Sequence, residues 1–497
     1  MIDVIYSYIN IFLIFILLGS SFIGFHLKIN KLDVFGISFL NSYIVSFILI
    51  SFLLLLILIP INFFYSLDNL WSLLFCILGI TFYLSEILKK NKKSIIKNTI
   101  IITFISSIFV FNAGDNNDFD YHLMHMELYK NFNVIEFLSN YSLDGRIQYN
   151  SSWLLLNSFS WIKNFDNSIY FLSSFVFSIA LIDIRQIVKN TKKSQQNFNY
   201  SKLFLALSFV FIIFCVTKYK DMGTDYGGHV IAIVFICIYL LVYEVFNEKF
   251  STNKFFLFIS LTIILLSTIK ISLILLSLLI IHYFLEVYKI KKLTFSHFII
   301  GAIPLILLIL WFLQNYLISN CLIFPISALC SELSKEAAQF EYNMISLFSK
   351  SVKINYWDST IDEMIILGEF KNWIGYWVSD HFYKVIEKLA PVYFIVIAIY
   401  SFLFFKYKNI NKNTNKNIEN KLLFFIFFLI ILIWFISSPA LRFGFSYLII
   451  FSNLLLIGLY QKLFGNNFIK DNFNNKYYNY LIAIFIAYNL IRISMTL

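Results

Sequence analysis

Apolar residues in this chain come in long blocks, separated by short polar punctuation, rather than in strand-like alternation. A helix needs about 20 apolar residues to cross a bilayer. Blocks of that order fall at about 4–26, 38–64, 70–88, 95–113, 168–187, 203–218, 227–246, 295–318, 391–407, 422–438, 444–461 and 478–495. One further block, 255–288, is too long for an ordinary span and carries Lys270 at its middle. It reads as two short helices with the lysine at their tip. The alternative, one long tilted helix, would invert everything downstream. The pattern predicts an all-α polytopic membrane protein with about 14 (12–14) transmembrane helices. Met1–Asn10 has no basic n-region and no small-residue cleavage site, so the first block reads as a retained helix.

The punctuation orients the blocks. Lys89, Lys90, Lys92, Lys93 and Lys97 form one basic cluster, and Lys189, Lys192, Lys193 and Lys202 a second. Lys249 and Lys254 precede the double block, Lys289, Lys291 and Lys292 follow it, and Lys406, Lys408, Lys412, Lys416 and Lys421 form another cluster. With fourteen spans all of these loops share one side, the cytoplasmic one by the positive-inside rule, and both termini lie outside. The net charge of +11 is then a topology signal, and nucleic acid is not needed to explain it. Composition agrees: 59% of residues are hydrophobic and 13% charged, against about 25% charged in a soluble domain. Gly (15) and Pro (5) are scarce, so Phe, Ile and Leu must fill most helix interfaces instead of small-residue motifs.

The cytoplasmic loops are short, so chemistry is expected in the two long outer segments, about 114–167 and 319–390. The first opens from a span with Asp115, Asp118 and Asp120, followed by a helix-period stretch. Tyr121, Met124, Leu128 and Phe132 share one face with His125 at its edge, while His122, Glu127 and Lys130 point elsewhere. Such a helix would lie along the membrane interface. A second apolar piece, Trp153–Trp161, is too short to span and should lie at the surface or dip in. Acids held beside the hydrocarbon edge favour a site, and helix capping is the plainer reading. Asp118, Asp120 and His122 are also the residues that would hold a divalent cation if one were used.

Arginine is more selective. Only Arg146, Arg185, Arg442 and Arg492 occur among 39 basic residues. Arg146 and Arg442 fall on the outer side near span ends. Their planar forks suit a phosphate or carboxylate, while snorkelling accounts for Arg185 and Arg492. Lys270 and, in the short loop KYKDMGTDYGG, Asp225 lie on the same side, with His229 just inside the next helix. Lys270 either marks the membrane surface or meets the same anion. In the second segment Cys321 and Cys330 are close enough in sequence to form a disulfide on an oxidising side, whereas Cys76, Cys215 and Cys237 sit in spans as packing residues. Trp357, Trp373 and Trp377 are interleaved with Asp358, Asp362, Glu363 and Glu369, which suits a sugar and equally an interfacial belt.

A span ending in acids, then Asp118-Phe119-Asp120-Tyr121-His122-Leu123 and an interfacial helix, resembles the first outer loop of GT-C glycosyltransferases. The stretch through Gly145-Arg146 and Tyr149-Asn150-Ser151-Ser152-Trp153, the segment Cys321–Pro325 and the turn Ser437-Ser438-Pro439-Ala440-Leu441-Arg442-Phe443-Gly444 are similar to a family of bacterial polytopic proteins placed among surface-polysaccharide genes. The resemblance covers scattered segments of about half the chain. It implies a GT-C-like core over 95–318 with its catalytic outer loop at 114–167, preceded by extra helices in 1–94, followed by an outer region at 319–390 and C-terminal spans in 391–497. It implies a glycosyltransferase of the bacterial cytoplasmic membrane with its active face outward. Such an enzyme takes a sugar from a polyprenyl-phosphate donor to a glycan or lipid acceptor. Asp118 or Asp120 would be the base, and Arg146, Lys270 and Arg442, with Asp115, His122 and Asp225, would line the substrate site. No cofactor is implied beyond that optional cation. Two other readings stand beside it: a polysaccharide polymerase or ligase using the same carriers, and a lipid-linked glycan transporter or flippase.

Overall fold

A computed structural model of the chain describes residues 2–89, 92–112, 119–136, 148–163, 165–191, 200–214, 223–350, 369–383, 385–387, 390, 394 and 421–464. No strand occurs among them, only one isolated bridge between Cys321 and Cys330. Among the described residues eight helices are long and apolar enough to cross a membrane, the architecture of a polytopic membrane protein. The blocks expected at 391–407 and 478–495 fall outside the described residues, apart from Phe394.

The first four helices are α1 (Ile2–Leu32), α2 (Tyr43–Phe64), α3 (Asn69–Lys89) and α4 (Lys92–Asn112). Helix α1 packs along α3 and α4. Its approach to α3 is close enough that a Cβ on Gly24 would fall 2.0 Å from the Gly79 carbonyl oxygen. Here glycine does what Phe and Leu cannot, and at the Lys-rich end the same pair is tied by Lys28 and Lys31 on the buried Glu86 carboxylate.

Next come α5 (Phe119–Asn131) and α6 (Ser152–Ser160), then α7 (Phe171–Thr191), α8 (Tyr200–Phe214) and α9 (Thr224–Val245). Helices α7 and α9 are the centre of the bundle. In their spans 89% and 83% of the residues are buried, against 22% for Phe295–Ser319 at the periphery. The double block resolves into α10 (Asn253–Ile269), a 3-10 stretch Ile271–Ser277 and α11 (Leu278–Lys289). Lys270 separates the two with extended backbone, φ −150° and ψ 115°, so the continuous helix is excluded. Helices α12 (Phe295–Ala302) and α13 (Leu305–Ser319) follow, then α14 (Glu332–Lys350) and α15 (Phe370–Trp377), with a π-helical turn at Val378–Phe382. The last described helices, α16 (Lys421–Ser437) and α17 (Leu441–Phe464), pack on each other, and α17 reaches α8 and α9.

One expectation for the first long segment needs correcting. Helix α5 does not turn His122 and Lys130 away from the protein, and its burial is not confined to the face of Met124, Leu128 and Phe132. His122, His125, Met126, Leu128, Tyr129 and Lys130 are all buried, and Glu127 and Asn131 are exposed. The helix is clamped by backbone pairing: Leu67 N–H donates to the Tyr129 carbonyl at 2.8 Å, and the Ser158 hydroxyl to the Met126 carbonyl at 3.1 Å. Of the two placements expected for Trp153–Trp161, at the surface or dipping in, the structure has the second, since every residue of α6 is buried. Its serines and Asn157 sit inside the bundle, where short polar side chains return hydrogen bonds to backbone, as Ser160 does to Asn157.

Candidate functional site

At the end of the bundle where α2, α10 and α13 finish and α3, α9 and α17 begin, several far-apart segments meet. Lys270 is 8% exposed. Its ammonium donates to the Arg442 carbonyl at 2.7 Å and lies 4.9 Å from the centre of the Phe443 ring. The Arg442 guanidinium carbon also lies 4.9 Å from that ring centre. Two cations 172 residues apart in sequence thus share one aromatic ring, whose negative face lowers the cost of holding like charges together.

The turn carrying Arg442 is fixed through its carbonyls. Trp377 Nε1 donates to Pro439 O at 2.9 Å and Trp434 Nε1 to Ala440 O at 3.2 Å. His229, fully buried in α9, contacts Arg442 O through Nε2 at 2.8 Å and the Ser446 hydroxyl through Nδ1 at 2.8 Å. Ser446 N–H also points at Nδ1, at 3.4 Å, which makes Nδ1 the acceptor and Nε2 the protonated nitrogen. With its carbonyls so occupied, the turn leads into the N-terminus of α17, whose first N–H groups lack helical acceptors.

The first long segment joins this cluster at Ser151, whose hydroxyl donates to the Ile269 carbonyl at 2.6 Å, one residue before Lys270. The adjacent Trp153 ring lies against α9 where residue 227 is glycine; a Cβ there would sit 2.2 Å from Trp153 Cζ2. Asn150 anchors the same strip. It donates to Gln314 Oε1 at 3.1 Å, accepts from the Tyr129 hydroxyl at 2.5 Å, and its carbonyl accepts from Trp311 Nε1 at 3.3 Å. Gln314 in turn reaches Asn62 Oδ1 at 3.5 Å. This buried amide chain ties α2, α5, α13 and the 148–153 strip together. Its sequence signal is the presence of Asn62, Gln314 and Asn315 inside otherwise apolar spans.

Beside it, Lys130 is buried with its ammonium 3.2 Å from the Ser72 hydroxyl. Burial pushes its pKa down to about 8, Asp68 nearby partly opposes the shift, and Lys163 adds to it. On the same strip the Tyr149 hydroxyl donates to Glu341 Oε1 at 3.3 Å, and its ring packs edge-on against Phe324, 5.1 Å away. Cys321 and Cys330 are joined as a disulfide. Trp373 and Trp377 are buried against Phe435 rather than arrayed as a surface belt or a sugar platform.

Lys270 and Arg442 are thus brought together. His122 lies on the buried face of α5. Asp115, Asp118 and Arg146 fall outside the described residues, as do the side chains of Asp120 and Asp225 on α5 and α9. Among the described residues no group of three His, Cys, Asp or Glu comes together as a metal site. His229, which the sequence places just inside its helix, and Asn150 and Ser151 of the first long segment complete the cluster.

A family model described as a domain of unknown function (DUF8201) matches residues 1–449. No curated protein and no solved structure matches the chain.

Proposed function

Because the chain belongs to the DUF8201 family, whose description carries no activity, we propose its function from the site itself: a membrane glycosyltransferase of the GT-C kind. It moves a sugar from a polyprenyl-phosphate donor to a cell-surface glycan or lipid acceptor. The observation that supports this reading is the meeting of Lys270 and Arg442 on the Phe443 ring at one end of an apolar bundle. Paired cations at that depth suit a phosphate carried on a lipid, which arrives from the membrane side with its charge at the interface.

In this reading Asp118, with Asp120 beside it, takes the proton of an acceptor hydroxyl, and the oxygen attacks the anomeric carbon. The bond from that carbon to the phosphate oxygen breaks, with inversion. The lipid phosphate leaves with the electron pair, against Lys270, Arg442 and Arg146. General-base help is worth about 10²–10⁴-fold, and a cation placed where charge develops about 10²–10³-fold. In this reading the chain has fourteen spans with both termini outside, and this end then lies on the outer face of the bacterial cytoplasmic membrane. There Asp115, His122 and Asp225 would line the acceptor side.

The test is glycan transfer in membranes from a deletion strain complemented with variants. Asp118→Asn and Arg442→Met should insert and fold as the parent does yet lose transfer by about 100-fold or more. Transfer retained in both would remove the proposed mechanism. Surface glycan reduced to single repeats, instead of a truncated repeat, would assign the site to a polymerase.

A further inference from the structure

The disulfide-closed loop Cys321–Cys330 leaves an apolar surface that the bundle does not use. It begins two residues after α13, and from Leu305 to Ser331 the chain has no charged residue. Helix α13 turns Leu305, Ile306, Ile309, Leu313 and Tyr316 outward, each at least 44% exposed. Those positions recur at i, i+1, i+4, i+8 and i+11, one face of a helix, and this face belongs to the stretch Phe295–Ser319, formed by α12 and α13 together, which is long and apolar enough to cross a membrane. The exposed apolar surface does not stop where the helix does. Leu322 (40%), Ile326 (37%) and Leu329 (38%) continue it through the loop.

The loop is held in shape by bonds that do not involve those side chains. Besides the disulfide, Leu322 N–H donates to the Leu329 carbonyl at 2.8 Å, Leu329 N–H to the Ile326 carbonyl at 2.8 Å, and the Asn315 side-chain amide to the Leu322 carbonyl at 2.9 Å. Its other side is buried: Cys321 and Phe324 pack on Ala338 of α14 and on Tyr149. Charge returns only with Glu332, Lys335 and Glu336.

We propose that this loop is seated in the lipid leaflet at the site end of the bundle, with Leu322, Ile326 and Leu329 among the acyl chains, and that it holds the Tyr149–Ser151 strip at leaflet depth. Continuity with the lipid-facing side of α13 names the occupant. A second protein copy would be met by charged or polar groups at the rim, whereas this surface runs without a charge into a spanning helix. Rigid closure matters because a loose apolar loop would lose its ordering entropy on insertion, and this one has little left to lose. The seating stands apart from the glycosyltransferase reading: it requires a membrane and no particular chemistry.

The full chain, reconstituted in phosphatidylglycerol/phosphatidylethanolamine vesicles, tests it with a photo-reactive benzophenone side chain at Leu322, Ile326 or Leu329. Ile309 serves as the lipid-facing control and the exposed Glu336 as the water-side control. Lipid adducts at the loop positions within about twofold of Ile309, and at least about fivefold above Glu336, are expected. Adducts at Ile309 alone would overturn the proposal, and so would loop adducts to a second copy of the chain. A non-reducing gel shift verifies the disulfide in each variant, so a misfolded loop is not read as a negative.

Discussion

Asp183 offers the most direct test of how this bundle is held. Its carboxylate, fully buried in α7, accepts from the Ser42 hydroxyl at 2.6 Å, Tyr43 N–H at 2.7 Å and Ile44 N–H at 2.6 Å. Ser42 is the N-cap of α2, and its own oxygen accepts from Val45 N–H at 3.2 Å. The first-turn donors that a helix always leaves without partners are therefore met by one residue 139–141 positions away. Asp183→Ala orphans two buried N–H groups and removes a negative charge from a helix N-terminus. Each orphan costs about 1–3 kcal/mol and the charge–dipole attraction up to about 2. Some relaxation of the turn takes part of this back, which leaves about 3–5 kcal/mol. Asp183→Asn keeps one oxygen and presents an NH₂ to the other donor, so about 1–3 kcal/mol is expected. Cys76 and Cys237 are free and buried, so a fluorogenic maleimide follows thermal unfolding in detergent as they become reactive. The midpoints should fall in the order native, Asn, Ala. An Ala midpoint equal to the native one, or an Asn variant less stable than Ala, would refute the reasoning.

Two further outcomes follow from the packing around the site. Lys130 has its pKa lowered to about 8 and regains its ordinary value near 10.4 on unfolding. The unfolded chain therefore binds more protons between those values, and stability should rise with pH across about 8 to 10.4. Lys130→Met should flatten that rise, read from unfolding midpoints against pH. Gly227→Ala drives a methyl into the buried Trp153 ring and should cost about 1–3 kcal/mol in the same unfolding assay. Gly228→Ala, whose Cβ would meet Leu273 at 3.0 Å and Ile269 at 3.2 Å, should cost clearly less.

Features that announce themselves by charge in an apolar setting are legible in the amino-acid sequence. Lys270 in mid-block implies the break that separates α10 from α11, because a lysine in hydrocarbon needs a water-facing or partnered position. Helix α5 goes beyond its periodicity for the converse reason. Its apolar period selects Tyr121, Met124, Leu128 and Phe132, but the helix is oriented by pairing with the α2–α3 turn and with α6, and His122 and Lys130 are buried along with Leu128. Periodicity reports which face is apolar, and that is the buried face only when the rest of the surroundings is water. Where protein covers more of a helix than its apolar face, as on α5, that link fails. Pairings such as Gln314 with Asn62, 252 residues apart, or His229 with Ser446, 217 apart, depend on which helices are neighbours, and no local pattern encodes that.

What selects those neighbours is the remaining physical question, since α-helices surrounded by lipid gain little from burying one apolar face rather than another. The surfaces of this bundle are dominated by Phe, Ile and Leu, which fit many arrangements. Most buried Ser and Thr hydroxyls return bonds to their own helix, as Thr262 does to the Phe258 carbonyl, but some polar side chains are matched between particular helices. Ser106 of α4 meets Ser178 of α7 at 2.9 Å, Asn453 of α17 meets Ser208 of α8 at 3.3 Å, and Tyr239 of α9 meets His282 of α11 at 2.7 Å. A single such bond is worth only about 0.6 kcal/mol on average in a membrane, too little to drive association. A wrong pairing, however, strands both groups in hydrocarbon at a cost of several kcal/mol. The discrimination comes from that asymmetry. At the site end isolated pairs give way to a connected set, Asn62, Gln314, Asn150 and Tyr129, adjoining Ser151 and Lys270. A shift of any one of those helices would break several bonds at once, and this connected set adjoins the place where Lys270 and Arg442 are held side by side.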